Sequence, residues 1–182
     1  GVALAALGRP DEAEAEEVRF LDALGRLPES RLLHNNRVVD LMQIAKSMLR
    51  GEILYRQGAH DAAFAALRAA VAREDALPYD EPWGWMQPSR HALGALLLEQ
   101  GRHGEAEAVY REDLGLGGRL PRAQVHPHNV WSLRGLHDCL RARGAPRAEI
   151  APVAQALDIA AARADRAVAA SCFCAQKAMT AA

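Results

Sequence analysis

Apolar residues recur along this chain at helical spacing, in Ala- and Leu-rich stretches separated by short breaks. That is the pattern of α-helices that each bury one face. Val and Ile are sparse and scattered, and no run alternates as a half-buried strand would. The stretches predict helices at about 1–7, 11–25, 37–57, 61–74, 88–100, 104–115, 130–143 and 147–166, with Asn36 as an N-cap. The predicted class is all-α. Residues from Ala167 lack strong periodicity, so 167–182 is expected to form a tail packed on, or extending from, the helices.

The breaks repeat. Gly58, Gly101 and Gly144 stand 43 residues apart, each preceded four positions earlier by Leu54, Leu97 or Leu140. Gly51 and Gly94 keep the interval, as do Ala63 and Ala106. Three turns are followed, at one common distance, by Leu-Pro: Gly8 by Leu27-Pro28, Gly58 by Leu77-Pro78, and Gly101 by Leu120-Pro121. A glycine after a helix supplies the left-handed conformation of a C-cap. Asp11 and Asp61 stand where a side chain can accept from the free N–H groups of the next helix. Proline disfavours helical geometry in the residue before it, so Leu-Pro marks the end of the second helix. Each unit reads helix, tight turn, helix, stop.

On these residues the chain resembles the tetratricopeptide repeat family. The resemblance is carried by Gly51-x6-Gly58-x4-Ala63-x3-Leu67-x2-Ala70 and by Gly94-x6-Gly101-x4-Ala106-x3-Tyr110. Leu4-x3-Gly8-x4-Ala13 looks like the end of an earlier unit, which places Gly1 within a first helix and suggests a fragment of a longer array. The resemblance implies a right-handed α-solenoid of antiparallel helix pairs over 1–166, about three and a half to four units with the first truncated. It implies glycine and alanine where the two helices of a unit touch. It also implies a groove lined by first helices: Met48, Glu52 and Tyr55, then His91, Leu98 and Glu99, then Trp131, Arg134, Asp138 and Arg141. The family's unit is ~34 residues, so the longer period here leaves a surplus. The last unit also departs from the pattern. His137 takes the small-residue position, Glu149 replaces the alanine, and Pro152 interrupts or delays the helix, as suits a terminal cap.

The surplus falls in two connections, 79–88 and 122–131, which hold all three tryptophans of an aromatic-poor chain. In a solenoid such connections share one edge, so Tyr79, Trp83, Trp85, His126, His128 and Trp131 are expected to cluster. One reading is that they plug the edge and set the angle between units. The other is a ligand or peptide site lined by aromatics, with Glu81, His126 or Asn129 as polar anchors.

Composition narrows the function classes. Acidic and basic residues nearly balance at a formal net charge of -1, and no basic block suggests a nucleic-acid footprint. Lys46 and Lys177 are the only lysines, an arginine bias of the kind a GC-rich, bacterial-like genome produces. The longest apolar stretch, Ala92 to Leu98, is far too short to span a bilayer. No signal peptide is visible. Three cysteines, Cys139, Cys172 and Cys174, suit a reducing compartment, and the expected location is cytoplasmic.

Candidate chemistry is thin. Cys172-Phe173-Cys174 puts two thiols on one side of an extended segment and, with His126, offers an alternative site for zinc or copper(I). The recognised paired zinc knuckles are absent. His137 and Cys139 face different directions on a helix, so they make no nucleophile–base pair. Gly115-Leu116-Gly117-Gly118 follows a helix and lacks the Lys-Ser/Thr of a phosphate loop. No catalytic constellation stands out. The function expected is a protein- or peptide-binding scaffold, without cofactor, nucleic acid or membrane. Its partner would be a protein, a peptide or another domain of the same chain, met through Tyr55, Tyr79, Glu81, Trp83, Trp85, His91, His126, Asn129, Trp131 and Arg134. The alternative is a metal- or small-ligand-binding protein, with or without catalysis, built on the two long connections and the Cys-x-Cys pair.

Overall fold

A computed structural model describes residues 1–175, and they are all-α apart from one two-residue hairpin. The end of the expected tail, 176–182, lies outside the described residues. The chain divides into two compact units, Gly1–Ser89 and Arg90 onward. Among the described residues no helix is long and apolar enough to cross a membrane.

The first unit holds α1 (Val2–Ala6), α2 (Pro10–Gly25), α3 (Val38–Arg56) and α4 (His60–Asp75). Its glycine turns behave as their positions require: Gly8 has φ 74° and Gly58 φ 81°, a region where a Cβ is strained. α1, α2 and α3 meet at Ala5, Ala13 and Ile53, with Leu4 and Leu49 against them. α3 and α4 close on each other through Gly51, where a Cβ would come 2.7 Å from Leu67 Cγ and 3.3 Å from Ala63 O. The expected contact of small residues between paired helices is therefore present.

Three local expectations need correcting. Asn36 is not the N-cap of α3; that position is Arg37, and Asn36 lies fully buried in a short hairpin, β1 (Leu32–Leu33) with β2 (Asn36–Arg37). Its Nδ2 donates to Pro78 O at 3.2 Å, so it fastens the chain after α4 instead of capping a helix. Asp11 and Asp61 are not caps either. They lie inside the first turns of α2 and α4, where a carboxylate still suits the helix dipole.

The second unit holds α5 (Ser89–Glu99), α6 (His103–Asp113), a 3-10 turn at Arg122–Gln124, α7 (Val130–Ala142) and α8 (Arg147–Ala161). Gly101 and Gly144 repeat the left-handed turn at φ 71° and 69°. The third correction is here: Leu120-Pro121 does not stop α6. That helix ends at Asp113, and Gly115 turns the chain away at φ 77°. α8 also ends sooner than its pattern predicts, and carries Pro152 inside it. Residues 167–175 pack within this unit: Arg134 Nε donates to Val168 O at 3.1 Å, and Ser171 Oγ to His91 O at 3.1 Å.

Candidate functional site

The second unit builds its site outward from a buried carboxylate. Asp113, the last residue of α6, has a side chain only 1% exposed. Its Oδ1 accepts from His126 Nδ1 at 2.7 Å. Its Oδ2 accepts from Ser132 Oγ at 2.6 Å, Asn129 Nδ2 at 2.9 Å and His91 Nε2 at 3.1 Å. Burial alone would raise its pKa. The hydrogen bonds from His126, His91 and Ser132, with the attraction of His91, outweigh that and hold the carboxyl well below the usual range.

This hub fixes both ends of the long connection between α6 and α7. His126 N donates back to Asp113 O at 2.6 Å. Asn129 Oδ1 accepts from Ser132 N at 2.8 Å, the N-cap bond of α7. The first turn of α7 is thereby placed, and with it Val130 and Trp131.

Those two residues open onto a groove of about 1090 Å³, bounded by the start of α7, one face of α8 and the segment 163–173. Trp131, Pro152, Ala156, Ile159, Ala160 and Phe173 supply its apolar lining. Trp131 and Phe173 stand with ring centroids 6.0 Å apart at 55°. Ile159 and Phe173 are 58% and 71% exposed, too much for settled core residues. Arg163, Asp165 and Arg166 also line it, leaving two guanidinium groups to one carboxylate. Among the described residues neither guanidinium has an ion-pair partner.

The expected site residues fall into four sets. Trp131 lines the groove, and Arg134 holds one of its walls through Val168. His91, His126 and Asn129 meet on Asp113, so they build the scaffold of the site and are not its contact surface. Tyr79, Glu81, Trp83 and Trp85 belong to the first unit. There Tyr79 Oη donates to Glu81 Oε2 at 2.9 Å, Asp80 accepts from Asn35 N at 3.2 Å, and Gly84 packs on Asn36. Tyr55 is corrected: it is buried, its ring 4.9 Å from His60 and 6.1 Å from Phe64, so it is not exposed to a partner.

The alternative metal set is corrected too. Cys172 and Cys174 are joined as a disulfide, and His126 gives Nδ1 to Asp113. A disulfide sulfur is not the thiolate that zinc or copper(I) takes. The pairing also departs from the three free thiols expected of a reducing compartment; Cys139 alone is free, and buried.

Sequence reading missed Asp113, Ser132, Ile159, Arg163, Arg166 and Phe173. A signal existed for Ile159. On α8, Ile150, Val153, Ala154 and Leu157 make one apolar stripe, while Pro152, Ala156, Ile159 and Ala160 make a second one well round the helix. A helix with two apolar stripes has two surfaces to cover. Compared with known proteins, the chain matches no family model, no curated protein and no solved structure.

Proposed function

We propose that the chain is a protein-binding scaffold of tetratricopeptide-like helix pairs in a right-handed solenoid, and that the groove beside Trp131 is its docking surface. The repeat reading draws support from the recurring left-handed glycine turns and from the shared close contacts, Gly51 on Leu67 and Gly94 on Tyr110. The observation that carries the docking reading is the groove itself: an apolar floor with an exposed aromatic wall and a net positive rim. Its occupant is a peptide segment of a partner protein, with a large aliphatic or aromatic anchor next to a carboxylate. The anchor fills the space between Trp131 and Ile159, and the carboxylate meets Arg163 or Arg166. Tryptophan and arginine are the residues most often found to dominate such contacts.

Fluorescence anisotropy with two labelled peptide panels tests this, one with Leu or Phe flanked by Glu and the other with the same anchors flanked by Lys. The acidic panel is expected to bind and the basic panel to fail. Trp131→Ala should weaken binding by about thirtyfold, the loss of one hot-spot side chain. The double variant Arg163→Glu/Arg166→Glu should weaken the acidic panel and remove its salt sensitivity. Equal binding of both panels, or binding untouched by Trp131→Ala, would sink the proposal.

A further inference from the structure

One wall of the groove ends in a covalent loop whose size is its most informative property. Cys172 and Cys174 are bonded to each other with a single residue, Phe173, between them. The stabilisation a disulfide gives by restricting the unfolded chain grows with the loop it closes, and this loop is about as short as a disulfide loop can be. The bond is therefore a poor staple for the fold. What it fixes is local: the direction of Phe173, whose ring faces Trp131. The chain just before it is already held, because Ser171 Oγ is within hydrogen-bond distance of both His91 O and Tyr110 Oη. Cys174 N also lies 3.2 Å from Cys172 Sγ, within the same small loop.

We infer that Cys172 and Cys174 form a redox couple, opened by a thiol reductant of the glutathione or dithiol class, and that its state decides whether Phe173 stands as the wall of the groove. The couple itself is independent of the docking proposal; its effect on peptide affinity rests on that proposal. Cys172 is buried and Cys174 half-buried, so an incoming thiolate attacks Cys174 Sγ. The Cys172–Cys174 bond breaks as a mixed disulfide forms on Cys174, and Cys172 leaves as a thiolate that takes a proton from water. A second thiol of the reductant then attacks its own sulfur in the mixed disulfide. That releases the Cys174 thiolate, which is protonated in turn, and the reductant ends as its disulfide. Two electrons and two protons enter the protein. Cys139 does not compete: it is buried, and burial, aided by Glu107 and Asp138, pushes its thiol up to about 12.

The test uses the whole chain in buffers of graded reduced-to-oxidised glutathione ratio, with thiol labelling read by mass spectrometry. Two labels are expected to appear together and reversibly, on Cys172 and Cys174, while Cys139 stays unlabelled until the protein is denatured. In the same samples, chymotrypsin cleavage after Phe173 should rise by about tenfold on reduction, because only the opened loop can extend into a protease site. Cys172→Ser and Cys174→Ser should be cleaved at the reduced rate in every buffer, and Cys139→Ser should match wild type. Peptides of the acidic panel should bind the oxidised form more tightly. Thiols that stay free under the most oxidising ratio, or a bond that never opens in folded protein, would overturn the couple. A reversible couple with unchanged cleavage at Phe173 would overturn the switch. If no peptide binds either form, the docking proposal has failed, and the couple stands or falls on labelling and cleavage alone.

Discussion

Asp113→Ala is expected to destabilise the second unit by about 3–5 kcal/mol, the usual consequence of removing one partner from a buried charged network. In a chain of this length that lowers the melting temperature by something on the order of 10 °C. The reason is the number of groups left behind. His91, His126, Asn129 and Ser132 all donate to this one carboxylate; His91 and Ser132 are buried and would lose that acceptor, while Asn129 Nδ2 would keep only His126 O at 2.7 Å. Asp113→Asn keeps an acceptor oxygen and should cost less, about 1–3 kcal/mol. Because the network caps α7 and places Trp131, both variants should also loosen the groove. Thermal unfolding and peptide anisotropy together check this, and a melting temperature within error of wild type for Asp113→Ala would refute the network as a source of stability.

The same carboxylate sets a sign for pH. Its folded pKa lies below the ordinary value near 4, so the folded state holds the ionised form more firmly than the unfolded chain does. The resulting stability is fully present above about pH 4 and is lost as pH falls further, toward and through the folded pKa. Wild type should therefore lose stability on acidification below about pH 4, and the gap to Asp113→Ala should narrow over that interval. A constant gap would mean that Asp113 is not ionised in the folded protein.

The helices and their turns were largely legible because their marks are local. A glycine at the end of a helix has one physical use, and Gly8, Gly58, Gly101 and Gly144 all take the positive φ that use demands. What failed depended on contacts far along the chain. Asn36 reads as a cap by type, yet it is buried by an attachment to Pro78 that no local window contains. Leu120-Pro121 reads as a stop, yet Asp113 had already turned inward to meet residues from α5, the long connection and α7. The site was less legible for the same reason. His91 is singled out through the groove that the resemblance implies, and His126 and Asn129 through the long connection, but their acceptor is an aspartate at an ordinary helix end. The geometry assigns the organising role to Asp113. The second apolar stripe of α8 was readable, because a helical wheel alone displays it.

The other large effect is expected at Tyr110, where one buried ring becomes a lock. The ring is fully buried and lies against two glycines: a Cβ on Gly94 would come 2.5 Å from its Cζ, and one on Gly135 would overlap it as well. Tyr110 thus fills the space that both α5 and α7 leave for it. Its hydroxyl has a direction. Ser171 carries one hydrogen and donates it to His91 O, so Tyr110 Oη donates to Ser171 Oγ, 2.5 Å away. Burial raises the phenol pKa far above its ordinary value, which keeps that proton in place at any working pH. Tyr110→Ala should cost about 3–5 kcal/mol through the cavity and release Ser171. Tyr110→Phe should cost about 1 kcal/mol and act mainly on hydrogen exchange of the segment around Ser171. Gly135→Ala should cost about 1–3 kcal/mol by overpacking in the wild-type background. In the Tyr110→Ala background the same methyl enters vacated space, so its penalty should vanish or reverse. A double-mutant cycle by denaturant unfolding measures this directly, with a coupling of at least about 1 kcal/mol expected. Strictly additive losses would mean that the ring does not bridge α5 and α7.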